Sequence, residues 1–288
     1  MAADIRQLCG VFKLRIGVAI ALSALAGLAV TPGPPVPFWN AAALALAVLL
    51  GAASAGAFNQ FAERDLDARM IRTRDRPFVS GRYTAGPAWL AVMGALLVVS
   101  VTLAAWAANP MAATHVFLGA FVYGIVYTVW LKRRTWLNIV IGGLSGSFAV
   151  LAGAAAVDPA PTALPICLAV VLFLWTPPHF WSLAMATRDD YVRAGVPMLP
   201  VVIGDGRAAR VILAHTVALV AASLLPVFFG LGLVYLALAA IGGWVFVGKS
   251  IALVRAPGPA AARANFNASL LQLSLVLIGA MADAWVPL

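Results

Sequence analysis

Long runs of apolar residues dominate the chain and are separated by short polar segments. Each run has roughly the 20 residues that an α-helix needs to cross a bilayer, and none alternates every second residue as the strands of a membrane β-barrel would. The runs cover residues 14–31, 40–58, 87–108, 111–130, 137–157, 163–185, 208–229, 231–253 and 268–286. The pattern predicts an all-α polytopic membrane protein of about nine helices, with residues 1–288 forming a single domain.

The positions of the basic residues predict how these helices are oriented. Lys and Arg accumulate in cytoplasmic loops. All 19 of them lie near the start of the first run or near the junctions that follow the second, fourth, sixth and eighth runs. Because the chain crosses the membrane once with each run, these positions are all on the same face of the membrane. The amino terminus is therefore expected in the cytoplasm and the carboxyl terminus outside. The first run is preceded by no transit peptide, which favours a bacterial plasma membrane.

Composition narrows the classes of function. The chain is 63% hydrophobic and 10% charged, and its net charge of +9 is explained by the orientation of the helices. No soluble segment is long enough for a nucleic-acid-binding domain, so the expected surroundings are the lipid bilayer and its anionic head groups. A CDP-alcohol phosphotransferase needs a dense run of acids with an inserted Gly-x-x-Ala-Arg, which the sequence lacks. A transporter would place polar residues at the midplane, whereas here they gather at the predicted cytoplasmic ends.

The few acidic residues give the first indication of chemistry. Asn59, Glu63 and Asp67 stand four residues apart at the end of the second run, and Glu63 is the only glutamate in the chain. Because four residues turn a helix only about 40° past one full turn, these three side chains share a face. Carboxylate and amide oxygens suit Mg²⁺, which proteins usually hold together with substrate phosphate oxygens. The arginine-dense stretch that follows, up to Arg82, suits phosphate, so the segment predicts a metal and diphosphate site.

A second polar segment, residues 175–202, follows the sixth run at the same membrane face. It contains Asp189, Asp190 and Tyr191. Two acidic sites that face one cavity would hold two metal ions, or one ion and the basic groups around it. The helices are therefore expected to surround a central cavity that opens near the cytoplasmic face.

Three segments resemble the UbiA superfamily of intramembrane prenyltransferases. They are NQFAERDLDARMIRTRDRP, VYTVWLKRRTWLNIVIGG and WTPPHFWSLAMATRDDYVRAGVPMLPVV, in the expected order over residues 59–202. The first segment marks the superfamily, and the third is similar to its haem-modifying branch. The resemblance implies transfer of a farnesyl group from farnesyl diphosphate to a vinyl group of haem B, with a hydroxyl arriving from water. A quinone-precursor ring or a chlorin is the alternative acceptor.

The resemblance also implies metal ligands. Asn59, Glu63 and Asp67 would hold one Mg²⁺, and Asp189 and Asp190 would hold a second. Ionisation of the allylic carbon–oxygen bond leaves negative charge on the diphosphate. Metal ions and basic side chains stabilise that charge far better in a dry cavity than in water.

The remaining implied roles concern the substrates. Tyr191 would either orient the leaving diphosphate or anchor the chain at the membrane interface, where tyrosine is common. His179 would contact haem, because imidazole is a ligand of haem iron. A haem A synthase or an oxidase assembly factor is the protein partner that the resemblance allows. Diphosphate oxygens would be bound by Arg72, Arg76, Lys132 and Arg133.

Overall fold

The computed structural model describes residues 2–284, with side chains described from Arg6 onward. Each of the nine apolar runs contains a helix, and eight of these helices have at least 18 residues and enough apolar character to cross a membrane. The first, Leu14–Val30, has 17 residues, which is the lower limit for spanning. The last begins at Pro259, nine residues before the predicted start at 268. Its predicted end at 286 and the carboxyl terminus lie outside the described residues.

The helices follow one another without any β-strand in the described range. They are α1 (Ala2–Val11), α2 (Leu14–Val30), α3 (Phe38–Ala62), α4 (Arg64–Asp67), α5 (Pro87–Ala107), α6 (Pro110–Phe121), α7 (Asn138–Gly142), α8 (Leu144–Ala155), α9 (Ala163–Ala186), α10 (Arg188–Ala194), α11 (Leu199–Ile203), α12 (Asp205–Leu224), α13 (Leu233–Arg255) and α14 (Pro259–Asp283). A π-helix, Val122–Leu131, continues α6, and a 3₁₀-helix, Leu225–Phe229, continues α12.

The spanning helices pack in chain order, and α14 returns to contact α2, so the bundle closes on itself. We call the end of the bundle that carries segments 63–86, 132–137 and 187–204 the polar end, and the opposite end the apolar end. Near the apolar end, α2, α8, α9, α13 and α14 share one hydrophobic core. Val30, Val150, Leu168, Tyr235 and Val276 are among its buried members. This core fills the space between these helices on the apolar side of the bundle.

Two helices end in the same way at the polar end. Residue Glu63, with φ −100° and ψ 11°, interrupts the chain between α3 and α4. Residue Thr187, with φ −130° and ψ 36°, interrupts it between α9 and α10. Both short helices then begin with Arg-Asp, in the sequences RDLD and RDDY. The acidic segments therefore lie on short helices that change direction at the membrane surface.

Glycine allows α2 and α8 to touch backbone to backbone. A Cβ atom added to Gly153 would lie 1.7 Å from the carbonyl oxygen of Ala24, and one added to Gly27 would lie 2.1 Å from that of Val150. Small residues permit such close approach in membranes, where van der Waals packing and hydrogen bonds hold helices together. This contact joins the start of the bundle to its middle.

Replacing Gly153 by Val should separate α2 from α8 and destabilise the protein. Overpacking usually costs about 1–3 kcal/mol, and a backbone contact cannot yield by a rotamer change. The melting temperature of the detergent-purified variant should therefore fall by about 5 °C or more. Gly248→Val is the matched control, because a Cβ at Gly248 meets no atom within 4 Å. Equal melting temperatures for the two variants would contradict the described contact.

Candidate active site

Asn59, Glu63 and Asp67 lie together at the polar end and are almost completely buried, at 3%, 2% and 3% exposure. The break at Glu63 does not disturb their register. The Glu63 N–H donates to the carbonyl of Asn59 at 3.0 Å, and the Asp67 N–H donates to that of Glu63 at 2.8 Å. The three side chains therefore keep the expected common stripe from the end of α3 to the end of α4.

Each member of this stripe has a basic partner. Lys132 donates to Glu63 Oε2 at 2.5 Å, Arg76 donates to Asp67 Oδ2 at 2.7 Å, and Lys13 donates to Asn59 Oδ1 at 2.6 Å. Buried carboxylates need such partners, because an uncompensated buried charge is strongly destabilising. The second oxygen of Glu63, Oε1, is buried and has no hydrogen-bond partner among residues 6–284.

Lys13 was not among the site residues predicted from the sequence, and three local features place it. The side chain of Gln60 donates to the carbonyl of Gly10 at 2.7 Å and so fixes the end of α1 against α3. Lys13 itself adopts the left-handed conformation, with φ 49°, which is uncommon for a residue with a side chain. Gly56 leaves room for its stem, since a Cβ there would lie 3.3 Å from Lys13 Cβ.

The surroundings of Lys13 lower the pKa of its ammonium group. Burial of the ammonium group, together with repulsion from nearby Arg76, lowers the pKa of Lys13 to about 7. The ammonium also donates to the hydroxyl of Tyr123 at 2.8 Å. Lys13 is therefore a hydrogen-bond donor whose charge is sensitive to what occupies the site.

The π-helix supplies the other wall of the site. Its hydrogen bonds join residues five apart, so Tyr123 and Thr128 fall on one face, with Thr128 Oγ1 donating to the Tyr123 carbonyl at 2.8 Å. Asn59 Nδ2 donates to Thr128 Oγ1 at 2.9 Å. Lys132 follows immediately and reaches Glu63. Tyr123 and Thr128 were also missed from the sequence, because an apolar run carries no pattern that distinguishes a π-helix from an α-helix.

The second acidic segment is bound differently. Asp190 is buried and accepts hydrogen bonds from the N–H of Ile71 at 2.9 Å, the N–H of Arg72 at 3.4 Å and the guanidinium of Arg193 at 2.8 Å. Burial alone would raise the pKa of Asp190, but these donors outweigh it and the pKa is lowered. Asp189 is exposed. Tyr191 is buried, and its hydroxyl accepts a hydrogen bond from Arg72 at 3.2 Å.

Arg133 lies apart from the buried stripe. Its guanidinium makes two hydrogen bonds to the exposed carboxylate of Asp65, at 2.7 and 2.8 Å. These hydrogen bonds hold the pKa of Asp65 below its usual range. Of the four predicted diphosphate ligands, Arg76 and Lys132 contact the stripe, Arg72 contacts the second segment, and Arg133 is at the surface.

His179 is buried within α9 and belongs to an aromatic stack. Its ring lies between Trp175, with centroids 4.1 Å apart, and Phe266, with centroids 4.4 Å apart. Nδ1 is hydrogen bonded to Ser269 Oγ at 2.6 Å, which leaves Nε2 as the nitrogen for any other ligand. Its polar contact is thus to α14, and the structure shows no hydrogen bond between His179 and the stripe.

A small cavity of about 30 Å³ lies between α2, α3, α6 and α8, on the apolar side of Tyr123. Its walls include Gly51, Ala55, His115 and Gly119. A larger groove of about 250 Å³ runs between α3, α5 and α6. Lys13, Arg76 and Lys132 contact the three members of the stripe directly.

The stripe fits Mg²⁺ by its chemistry. Within residues 6–284, no three His, Cys, Asp or Glu side chains are close enough to form a metal cluster by themselves. The stripe offers two carboxylates and one amide, and Glu63 Oε1 is a buried oxygen without a partner in the described part of the chain. Mg²⁺ commonly keeps waters and binds a few carboxylates plus substrate phosphates. The residues can therefore hold such an ion together with a phosphate-bearing substrate.

Comparison with known sequences identifies a matching family and similar proteins. Residues 20–276 match the UbiA prenyltransferase family. The protoheme IX farnesyltransferase 2 of Paramagnetospirillum magneticum is 61% identical over 98% of each chain. The protoheme IX farnesyltransferase 1 of the same organism is 50% identical over 96% of this chain and 98% of its own length.

Solved structures share the fold at low identity. The digeranylgeranylglyceryl phosphate synthase structure has a TM-score of 0.79 at 17% identity, covering 98% of this chain and 99% of that one. A UbiA homologue from Archaeoglobus fulgidus bound to DMAPP and Mg²⁺ has a TM-score of 0.70 at 16% identity, covering 96% and 99%. The family assignment rests on the match over residues 20–276 and on the sequence identities of 50% and 61%. The chain belongs to the UbiA prenyltransferase family.

Proposed function

We propose that the protein transfers a farnesyl group from farnesyl diphosphate to a vinyl group of haem B and adds water, giving haem O and diphosphate. The observation that carries the proposal is the buried stripe of Asn59, Glu63 and Asp67 beside Lys13, Arg76 and Lys132. This arrangement suits an allylic diphosphate and Mg²⁺. Relatives with 61% and 50% identity that are named for protoheme IX farnesyl transfer support the choice of substrates.

The basic residues perform the electrostatic part of the reaction. When bound, Mg²⁺ at Asn59, Glu63 and Asp67 would supply positive charge to the diphosphate oxygens. Arg76 and Lys132 turn from the carboxylates to the diphosphate and stabilise the charge that develops as its bond to the allylic carbon breaks. The farnesyl carbon then bonds to the terminal vinyl carbon of haem. Water adds to the neighbouring carbon and loses a proton, so the product carries a hydroxyl and no net charge is left on the side chain.

Exclusion of water from the allylic cation is as important as charge stabilisation. The aromatic rings of Tyr123 and Tyr127, which stack with centroids 5.8 Å apart, form a non-polar wall beside the stripe. A dry site also strengthens every electrostatic contact in it. The hydroxyl of Tyr123 then gives Lys13 a partner when Asn59 binds the ion.

The acceptor and the second acidic segment complete the proposal. His179 would contact the haem through Nε2, because Nδ1 is engaged by Ser269. In the second segment, the exposed carboxylate of Asp189 is the available position for a second ion, since Asp190 accepts hydrogen bonds from protein donors. Arg133 would meet the diphosphate only after leaving Asp65.

We place the protein in the bacterial plasma membrane with the polar end in the cytoplasm. The polar end carries the Arg and Lys residues of segments 63–86 and 132–137, which is the distribution typical of cytoplasmic loops. Farnesyl diphosphate is water soluble at its charged end, so a site at this end receives it from the cytoplasm. A haem A synthase or an oxidase assembly factor would take the product onward.

Replacing either carboxylate of the stripe by its amide should abolish transfer, and it should also lower stability because Lys132 or Arg76 loses its buried partner. Glu63→Gln and Asp67→Asn keep the side-chain shape but lose the charge that Mg²⁺ requires, so kcat should fall by about 100-fold or more. Product formation and melting temperature would be measured together. Asp158→Asn, at a half-buried position near the apolar end and far from the stripe, serves as the control. Full activity in Asp67→Asn would refute the metal site.

The acceptor is tested with the purified protein, haem B, farnesyl diphosphate and Mg²⁺. We expect a product heavier than haem B by one farnesyl group plus water, detected by chromatography and mass spectrometry, and its loss when EDTA is added. His179→Ala should raise KM for haem more than KM for farnesyl diphosphate. If diphosphate binds but haem is not modified, the acceptor is a quinone precursor or another tetrapyrrole.

The orientation is tested with the native cysteine of α1. Cys9 is exposed and precedes the first spanning helix. In a Cys167→Ala background, a membrane-impermeant maleimide should label Cys9 in inside-out vesicles and not in intact cells. Asp158→Cys, in a chain without the native cysteines, should show the reverse pattern. Labelling of Cys9 in intact cells would invert the proposed topology.

A further inference from the structure

The segment after α4 connects the two acidic segments of the protein. We call residues 68–82 the arginine loop. Two of its arginines, four residues apart, reach different partners. Arg76 pairs with Asp67 at 2.7 Å, and Arg72 donates to the hydroxyl of Tyr191 at 3.2 Å and lies over its ring. One loop therefore supplies a guanidinium to each acidic segment.

The matching ends of α3 and α9 show which positions correspond. When RDLD of α4 is aligned with RDDY of α10, exposed Asp65 corresponds to exposed Asp189. Asp67 then corresponds to Tyr191, and both are buried and bound by an arginine of the loop. In this alignment Asp190 takes the position of the apolar Leu66. The second segment thus carries its buried carboxylate one residue away from the position that Asp67 occupies in the first.

The carboxylate of Asp190 is directed at the backbone of the arginine loop. Oδ1 accepts from the N–H of Ile71 at 2.9 Å and from Arg193 at 2.8 Å, and Oδ2 accepts from the N–H of Arg72 at 3.4 Å. Hydrogen bonds to a charged group are stronger than those between neutral groups. Ile71 and Arg72 are themselves exposed at the surface, so this part of the loop is held by Asp190 and by the neighbouring Met70, which is buried in the hydrophobic core.

The other end of the loop is fixed at Asp67. Thr73 Oγ1 donates to the Asp67 carbonyl at 3.1 Å, and Thr73 is buried. The Arg76 N–H donates to the carbonyl of Thr73 at 3.0 Å. The contacts at residues 71–73 therefore position the backbone that carries both Arg72 and Arg76. Side chains that are oriented before substrate arrives lose less entropy when they bind it.

We propose that Asp190 is a positioning residue, which holds the arginine loop so that Arg72 and Arg76 meet the diphosphate, and is not a ligand of a second Mg²⁺. This inference rests on the proposed prenyl transfer for its kinetic effect and on the loop contacts alone for its structural effect. The first acidic segment then holds the metal, and the second orders the cations around the leaving group. An ion at Asp190 would have to compete for the carboxylate oxygens with the two loop N–H groups and Arg193.

Hydrogen exchange tests the contact on the unmodified protein. In EDTA, the amides of Ile71 and Arg72 should exchange slowly although both residues are exposed. Addition of Mg²⁺ with farnesyl diphosphate should leave them protected or slow them further. Loss of protection on adding Mg²⁺ and the diphosphate would show that Asp190 has left the loop for the metal and would overturn the proposal.

Kinetics with Asp190→Asn give the second test. Weakening the charged hydrogen bonds should raise KM for farnesyl diphosphate by about tenfold, and the Mg²⁺ concentration for half-maximal activity should stay within about twofold. Peptides covering residues 69–74 should exchange faster in this variant. Asp75→Asn removes an exposed carboxylate from the same loop and should change neither constant.

The opposite pattern identifies a metal ligand. A Mg²⁺ requirement raised about tenfold or more in Asp190→Asn, with unchanged exchange at residues 69–74, would overturn the positioning role. If Asp190→Asn fails to fold, the exchange measurement on the unmodified protein still decides between the two roles. If the unmodified protein transfers no prenyl group at all, the proposed function fails, whereas protection of Ile71 and Arg72 remains a separate result.

Discussion

A carboxylate buried at the end of a membrane helix must be neutralised, and the pairing of Glu63 with Lys132 meets this requirement at the polar end. Glu63 comes from the break after α3, whereas Lys132 follows the π-helix, so the ion pair joins two distant parts of the chain. Asp67 with Arg76 repeats the ion pair, and on the other side Lys13 donates a hydrogen bond to the neutral amide of Asn59. Because breaking a buried pair is strongly destabilising, these three contacts fix where the helix ends lie.

The same requirement makes these residues suitable for the charged substrate that we propose. The cations that neutralise the acids are chemically the groups that bind diphosphate, and a metal ion can replace them at the carboxylates. If a metal ion takes the place of the cations at the carboxylates, the cations can pair with the diphosphate. Every buried charge then keeps a partner of opposite sign, which avoids the cost of an isolated charge in a medium of low dielectric.

The sequence predicted what depends on local pattern and missed what depends on packing. The nine apolar runs became helices because each is long enough to satisfy its own backbone inside a bilayer, and the four-residue spacing of Asn59, Glu63 and Asp67 survived the break at Glu63. Lys13 was recognised only as a charge that sets orientation, since its place in the site depends on Gln60 and Gly56 of another helix. The contact of Asp190 with Ile71 was beyond prediction, because 119 residues separate them.

The shortness of α2 has a consequence for the surrounding lipid. A helix of 17 residues is about 26 Å long, a few ångströms less than the roughly 30 Å thickness of the hydrocarbon core. The bilayer must thin beside this helix, or its head groups must tilt inward, to avoid exposing apolar surface or burying polar backbone. Since Lys13 immediately precedes α2, either response draws the lipid–water boundary toward the stripe. The thinner membrane would then shorten the distance that the charged end of an amphiphilic substrate moves to enter the protein, while its hydrocarbon chain stays in the bilayer.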